Sequence, residues 1–233
     1  MGKIVAIGGG EISAKETWLI DEYIVKLSEK TSPQLLFIPT ASYDAAGYIE
    51  TVKKIYGELG CKVSALCLME DPPSDKVIQE MILGADIIYV GGGDTERMMN
   101  KWREHRVDLY LREAYRKNIV LSGISAGSIC WFIAGHSDSE FFTDSPSPQY
   151  KWVKGLGILP FLHCPHYNER FEQEGFDDFF LPQITDTIAL ENGTAIAMID
   201  DEYSILRSDP SKKVYLLSSD GIRLTKKELT SGW

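Results

Sequence analysis

The stretch Val120-Leu-Ser-Gly-Ile-Ser-Ala-Gly-Ser-Ile-Cys-Trp-Phe132 runs from an apolar segment into Gly123-Ile-Ser125-Ala-Gly127 and on into residues that can continue as a helix. G-x-S-x-G in that setting is the pattern of a sharp strand-to-helix turn that exposes a serine. A serine in so tight a turn is held in a strained backbone conformation. Side chains two residues to either side would clash there, so glycine is favoured at both places. The N–H groups that begin the following helix, Ala126 first, face the position where an oxyanion would form. Taken alone, the pattern is also satisfied by a Gly/Ser-rich connection that carries no chemistry. The rest of the chain has to decide.

Upstream, apolar runs end repeatedly in turn residues. Residues 4–7 precede Gly8-Gly9-Gly10, residues 35–38 precede Pro39-Thr40, and residues 86–90 precede Gly91-Gly92-Gly93-Asp94-Thr95; residues 63–68 and 118–121 are two further strands, the last leading to Ser125. Between them apolar residues recur at helical spacing: Leu19, Ile20, Tyr23, Ile24 and Leu27 within residues 14–30, then Ile49, Val52, Ile55, Tyr56 and Leu59 before Gly60. Further helices are expected after Ser74 and over residues 95–102 and 107–116. Such alternation predicts an α/β fold with a mostly parallel sheet and helices on both faces. The turns at 8–10, 40, 91–93 and 125 should then share the ligand-binding edge at the strands' carboxyl ends. After about residue 135 the rhythm changes. Residues 135–150, rich in Ser, Asp and Pro, read as a long loop or irregular hairpin. Residues 156–159 read as a strand and 168–181 as a helix. The C-terminal part is β-rich, with strands expected at 188–191, 195–199, 203–207, 214–217 and 222–224. No repeat or linker interrupts the chain, so one domain over residues 1–233 is expected.

With 233 residues, 44% of them hydrophobic, the chain can bury a sizeable core. Asp+Glu 34 against Lys+Arg 24 gives a net charge of −10, which disfavours nucleic acid and anionic membrane surfaces as partners. Residues 1–7 enter a strand at once, without the charged-then-apolar pattern of a leader, and no apolar run is long enough to span a bilayer. A cytoplasmic protein is expected. Cys61, Cys67, Cys130 and Cys164 form no C-x-x-C pair and read as reduced, mostly buried thiols.

A serine hydroxyl is a weak nucleophile. It needs a base within hydrogen-bond reach and, behind the base, an orienting acceptor. Of the 4 histidines, His105 lies in a charged helical segment and His136 opens the polar loop. His163 and His166 follow an expected strand, and His166, in Pro165-His-Tyr-Asn-Glu-Arg170, is the better base. His163-x-x-His166 could instead be half a zinc site, though no second ligand pair stands at usable spacing. For the orienting acid, Glu191 ends a strand and Asp144 sits in the long loop; either could equally be an ordinary surface acid. The glycine triplets begin like dinucleotide fingerprints, but Ser13 and Glu96 stand where the third glycine belongs, so no cofactor is expected. Gly92 and Gly93 suit backbone N–H donation to an oxyanion from the side opposite Ala126, or simply a tight βα turn.

Taken together, Ile88-Tyr-Val-Gly-Gly-Gly-Asp-Thr95, Gly123-Ile-Ser-Ala-Gly127, Pro165-His166 and Ala189-Leu-Glu-Asn-Gly193 resemble, in content and order, the peptidase E family (S51) of serine peptidases, which includes aspartyl dipeptidases and cyanophycinases. The resemblance covers nearly the whole chain. It implies a class I glutamine-amidotransferase-like, flavodoxin-like fold with serine where those enzymes have cysteine. It further implies Ser125 as nucleophile, His166 as general base, Glu191 or Asp144 as the triad acid (Glu191 favoured), and an oxyanion hole from Gly92 or Gly93 with Ala126. Two departures bear on an Asp-X preference: Asp94 stands where members often carry Asn, and the loop 137–150 differs from that of the aspartyl dipeptidases. An acidic substrate side chain would need a cation, for which Arg170 is the candidate, unless it is only a solvated helix charge. The expected activity is hydrolysis of small peptides through an acyl-enzyme without metal or cofactor, by a chain that could form a homodimer. The alternatives are an esterase or amidase of α/β-hydrolase type, which would require Asp144 as the acid because that class places it between Ser and His, and a non-catalytic small-molecule binding protein on the same fold.

Overall fold

A computed structural model of the chain describes residues 2–170, 176–200 and 202–230. The first half alternates as expected: β1 (Lys3–Ile7), α1 (Trp18–Leu27), β2 (Gln34–Ile38), α2 (Ala46–Glu58), β3 (Lys62–Ala65), α3 (Asp75–Leu83), β4 (Ile87–Val90), α4 (Thr95–Glu104), α5 (Val107–Arg116) and β5 (Val120–Ile124). Then come the short α6 (Ala126–Ile129), β6 (Phe132–Ser137), β7 (Lys151–Lys154), β8 (Leu159–Pro165), α7 (Tyr167–Arg170), α8 (Phe176–Phe180), β9 (Thr187–Leu190), β10 (Thr194–Ile199), β11 (Glu202–Arg207), β12 (Val214–Ser219) and β13 (Leu224–Glu228).

Strands β3, β2, β4, β5 and β1 lie side by side and parallel, and β10 and β11 extend the sheet antiparallel beyond β1. Successive residues of a strand face opposite sides, and the strands use this fully. Ile4, Leu36, Ile88 and Leu121 pack with Met98, Trp102 and Leu111 of α4 and α5, whereas Val5, Leu35, Ile87 and Val120 pack with Ile20, Ile24, Val52 and Ile55 of α1 and α2. Helices therefore cover both faces, and continuous apolar strands are the consequence.

The second half departs from expectation. It builds a separate six-stranded sheet in the order β13-β12-β9-β8-β6-β7, with β6, β8 and β9 parallel. Residues 135–137, expected in a loop, belong to β6, and only the stretch beyond Ser137 is irregular, with a 3₁₀ turn at Ser139–Phe142. The strand expected at 156–159 lies later, at Leu159–Pro165. The helix expected over 168–181 is seen as α7 and α8, and its residues 171–175 lie outside the described residues. Burial joins the two sheets: Val153, Leu159, Ile188 and Val214 of the second belong to the same buried cluster as Ile4 and Leu121 of the first. Among the described residues, no helix is long and apolar enough to cross a membrane.

Candidate active site

The carboxyl ends of parallel strands from both sheets meet at one place. β1 delivers Gly8–Gly10, β4 delivers Gly91–Gly93, β5 delivers Ser125, β8 delivers His166, and β9 delivers Glu191 and Asn192. Ser125 lies at φ 56°, ψ −115°, a conformation that L residues rarely adopt, and it begins α6. Its backbone is held on both sides. Its N–H donates to the Ile7 carbonyl (3.1 Å), and its own carbonyl accepts from the N–H groups of Ser128 (2.9 Å) and Ile129 (3.0 Å). A side chain on Gly123 would overlap the Gly127 carbonyl, and one on Gly127 would overlap the Val90 carbonyl. The two glycines thus let the turn close on itself and on β4.

The Ser125 hydroxyl meets His166 Nε2 at 2.6 Å. His166, also at positive φ (152°), sits in the turn between β8 and α7. Its other nitrogen, Nδ1, is 2.9 Å from Asn192 Oδ1. The amide oxygen accepts there, which leaves the Nε2 lone pair for the serine proton. Neither expected acid occupies this orienting position. Glu191 Oε2 accepts from the Lys213 N–H at 3.0 Å, and Asp144 is exposed in the segment before β7. Glu191 and Asn192 both follow the end of β9 at Leu190, and there the Glu191 carboxylate turns to the Lys213 backbone beside β12 while the Asn192 amide faces His166. Asn192 is gripped in turn by α7. Its N–H donates to Asn168 Oδ1 (2.8 Å), and its Nδ2 donates to Glu169 Oε1. Burial, then the positive charge of Arg170, holds His166 below the ordinary histidine pKa, while the hydrogen bond to Asn192 opposes the shift.

The other expected residues fall around this line. Gly92 approaches Ser125 so closely that a Cβ on it would lie 3.3 Å from the serine Cβ; its N–H reaches the Tyr48 hydroxyl only at 3.5 Å. Gly93, at φ 133°, packs on the Ala41 carbonyl, and Ala126 opens α6. Asp94 caps α4, accepting from the Arg97 N–H at 3.1 Å. Arg170 is not a solvated helix charge. It is 4% exposed and donates to the His136 carbonyl (2.7 Å) and to Asp138 Oδ2 (3.2 Å). His163 is no half of a metal site, because both ring nitrogens are engaged, by the Ile188 carbonyl (2.9 Å) and by Ser128 Oγ (2.8 Å). Gly9, which sequence reasoning left without a role, packs directly on the relay: a Cβ there would overlap His166 Nδ1 and Asn192 Oδ1. Beside Asn192 opens a cleft of about 310 Å³ lined by Glu16, Asn168, Asn192, Gly193, Asp209 and Lys212.

Comparison with known proteins shows the family of the chain. The model of peptidase family S51 matches residues 4–206. The uncharacterized peptidase YgaJ of Bacillus subtilis is 35% identical over 219 residues, 92% of this chain and 91% of that one. Peptidase E of Shewanella denitrificans is 31% identical over 208 residues, 84% and 82% of the two chains. Among solved structures, a peptidase from an acI-B1 actinobacterium superposes with TM-score 0.77 over 100% of this chain and 96% of its own, at 19% identity, a likeness of fold alone.

Proposed function

Because the chain belongs to peptidase family S51 and is a peptidase hydrolase of glutamine-amidotransferase-like fold, we propose that it cleaves small peptides by serine chemistry, with Ser125 as nucleophile and His166 as general base. The observation that carries this reading is the 2.6 Å contact between Ser125 Oγ and His166 Nε2 in a turn that holds the serine at positive φ. Attack of Oγ on the scissile carbonyl moves the hydroxyl proton to Nε2, and the imidazolium formed is held through Nδ1–H by Asn192 Oδ1. The N–H groups of Gly92 or Gly93 and of Ala126 stabilise the oxyanion. Collapse releases the amine, which takes the proton from His166, and water hydrolyses the acyl-enzyme by the same base.

A neutral amide in the third position stabilises the imidazolium less than a carboxylate would, but it orients the ring equally well; Cys-His-Asn peptidases work with the same partner. The order Ser–His–Asn along the chain is not that of the α/β-hydrolase class. A preference for an acidic substrate residue would draw on Arg170, the cation beside His166, and a substrate carboxylate would then have to exchange with Asp138. Hydrolysis of a dipeptide and short-peptide library, followed by mass spectrometry, tests both levels. Ser125→Ala is expected to lower kcat by at least about 10⁴ with an unchanged melting temperature. Ser125-independent cleavage would overturn the mechanism, and Ser125-dependent cleavage without preference for Asp-X would remove the role given to Arg170.

A further inference from the structure

A carboxamide has one end that only donates and one that only accepts, so what faces His166 depends on what faces the other end of Asn192. That other end meets Glu169, whose Oε1 accepts from Asn192 Nδ2. An ionised carboxylate can only accept. The amide therefore turns its NH₂ to Glu169 and its oxygen to His166 Nδ1, 2.9 Å away. An oxygen likewise only accepts, so the imidazole proton sits on Nδ1 and the Nε2 lone pair faces Ser125 Oγ. With the amide reversed, an N–H would face Nδ1, the imidazole proton would move to Nε2, and the ring would confront the serine hydroxyl with a second donor.

We propose that Glu169 is a positioning residue: it fixes the direction of Asn192 and, through it, the tautomer in which His166 can accept the Ser125 proton. This rests on the reading of Ser125 and His166 as the reacting pair. Two further contacts make the device rigid. The Glu169 N–H donates to the His166 carbonyl at 3.1 Å, so the Glu169 backbone is tied to the residue its carboxylate governs. Asn168 Oδ1 accepts from the Asn192 N–H at 2.8 Å, so consecutive residues of α7 hold both the backbone and the side chain of Asn192. Glu169 is exposed, and solvent screens its charge; its effect comes from direction more than from field.

The test compares Glu169→Gln, Asn192→Asp and the double variant with the native chain. A glutamine can present either end to Asn192, so Glu169→Gln should lower kcat about tenfold with KM within about twofold. In the Asn192→Asp background a carboxylate faces Nδ1 and fixes the tautomer unaided, while Glu169 becomes a like-charge neighbour. There Glu169→Gln should raise kcat, a reversal of sign that an ordinary structural contact would not give. Nitrogen-15 NMR of the His166 ring reads the same device without catalysis: the native chain should hold the Nδ1–H form, and Glu169→Gln should populate Nε2–H. A native kcat and an unmoved tautomer in Glu169→Gln, or a loss of the same sign in both backgrounds, overturns the inference. If Ser125→Ala still hydrolyses peptides, the reading of the reacting pair falls, and the tautomer signal alone then decides the role of Glu169.

Discussion

Two serine–histidine pairs lie side by side in this molecule, offset by three residues on each element. Ser125 meets His166 at 2.6 Å, and Ser128 meets His163 at 2.8 Å. By contact distance alone they are twins. They differ in what surrounds the contact. His163 is wholly buried within β8 and stacks on Phe132 with ring centroids 4.3 Å apart. Burial pushes it down to about 3, so it stays neutral and exchanges no proton near neutral pH. Its outer nitrogen is fixed by a backbone carbonyl, that of Ile188. Ser128 has one proton and two acceptors in reach, His163 Nε2 and the Ser125 carbonyl at 2.7 Å. The inner pair therefore braces the strained residue that the outer pair uses. A serine–histidine hydrogen bond becomes a candidate site only where the strands end, the backbone is strained and a side chain holds the far nitrogen.

The comparison breaks most visibly if the histidines are exchanged one at a time for glutamine. His166→Gln should lower kcat/KM by at least about 10⁴ and leave the denaturation midpoint nearly unchanged. His163→Gln should do the reverse, keeping most of the turnover per folded molecule while losing about 2–4 kcal/mol of stability, because it empties part of a packed site and leaves buried hydrogen-bonding groups unmatched. Steady-state kinetics beside urea unfolding measure both. A folded His163→Gln protein without activity would place the inner pair within the machinery and erase the distinction.

The two pairs were unequally legible. The outer serine was readable because G-x-S-x-G follows an apolar run, and the first sheet because each apolar run ends in a glycine or proline turn. The inner pair had no such signal: Ser128 lies three residues beyond the turn, and His163 carries nothing in the sequence that separates it from His166 except the proline beside the latter. The second sheet was hidden for a related reason. Phe132–Ser137 contains Gly135, His136 and Ser137 and so reads as the start of a polar loop, yet its polar residues are buried against β7 and β8. Asn192 is inconspicuous in the sequence because Asn-Gly reads as a turn and because a triad suggests a carboxylate. Glu191 and Asn192 both lie in the turn beyond β9, where no strand alternation tells which of the two faces the histidine. Gly9 was indistinguishable from its two neighbours until the surface it packs on was known.

A smaller effect sharpens the role of that surface. Gly9→Ala would push a methyl group into His166 Nδ1 and Asn192 Oδ1, displacing the outer pair and leaving Ser128–His163 intact. A misplacement on the order of 1 Å costs about 10² in rate. We expect a kcat loss of that size with His163 unmoved in NMR spectra. Native activity would mean that the relay tolerates displacement, and the close packing of β1 on it would then have no catalytic meaning.

The smallest expected effect is a shift along the pH axis, and it separates His166, which titrates there, from His163, which does not. The neutral form of His166 is the base, so activity is lost as pH falls through its pKa. Burial and the Arg170 charge hold that pKa below the ordinary value of 6.5, and the acidic limb of kcat/KM should therefore lie below 6.5. Arg170→Met removes the charge and frees Asp138, and both changes favour imidazolium, so the limb should move to higher pH. His163, at about 3, contributes no limb in this range. Asp21 does titrate nearby: burial raises it to about 6, against the hydroxyls of Thr17 and Tyr56 that donate to it at 2.8 Å. Its linkage has the opposite consequence. A carboxyl whose folded pKa lies above its unfolded one disfavours the fold once ionised, so this penalty is present above about 6 and is relieved as pH falls toward the unfolded value. Acidification should thus ease unfolding stability upward through Asp21 while it silences His166. A limb that follows Arg170→Met belongs to the outer pair; a limb that stays fixed in Arg170→Met, while stability still rises on acidification through Asp21, would withdraw the assignment of His166 as the titrating base.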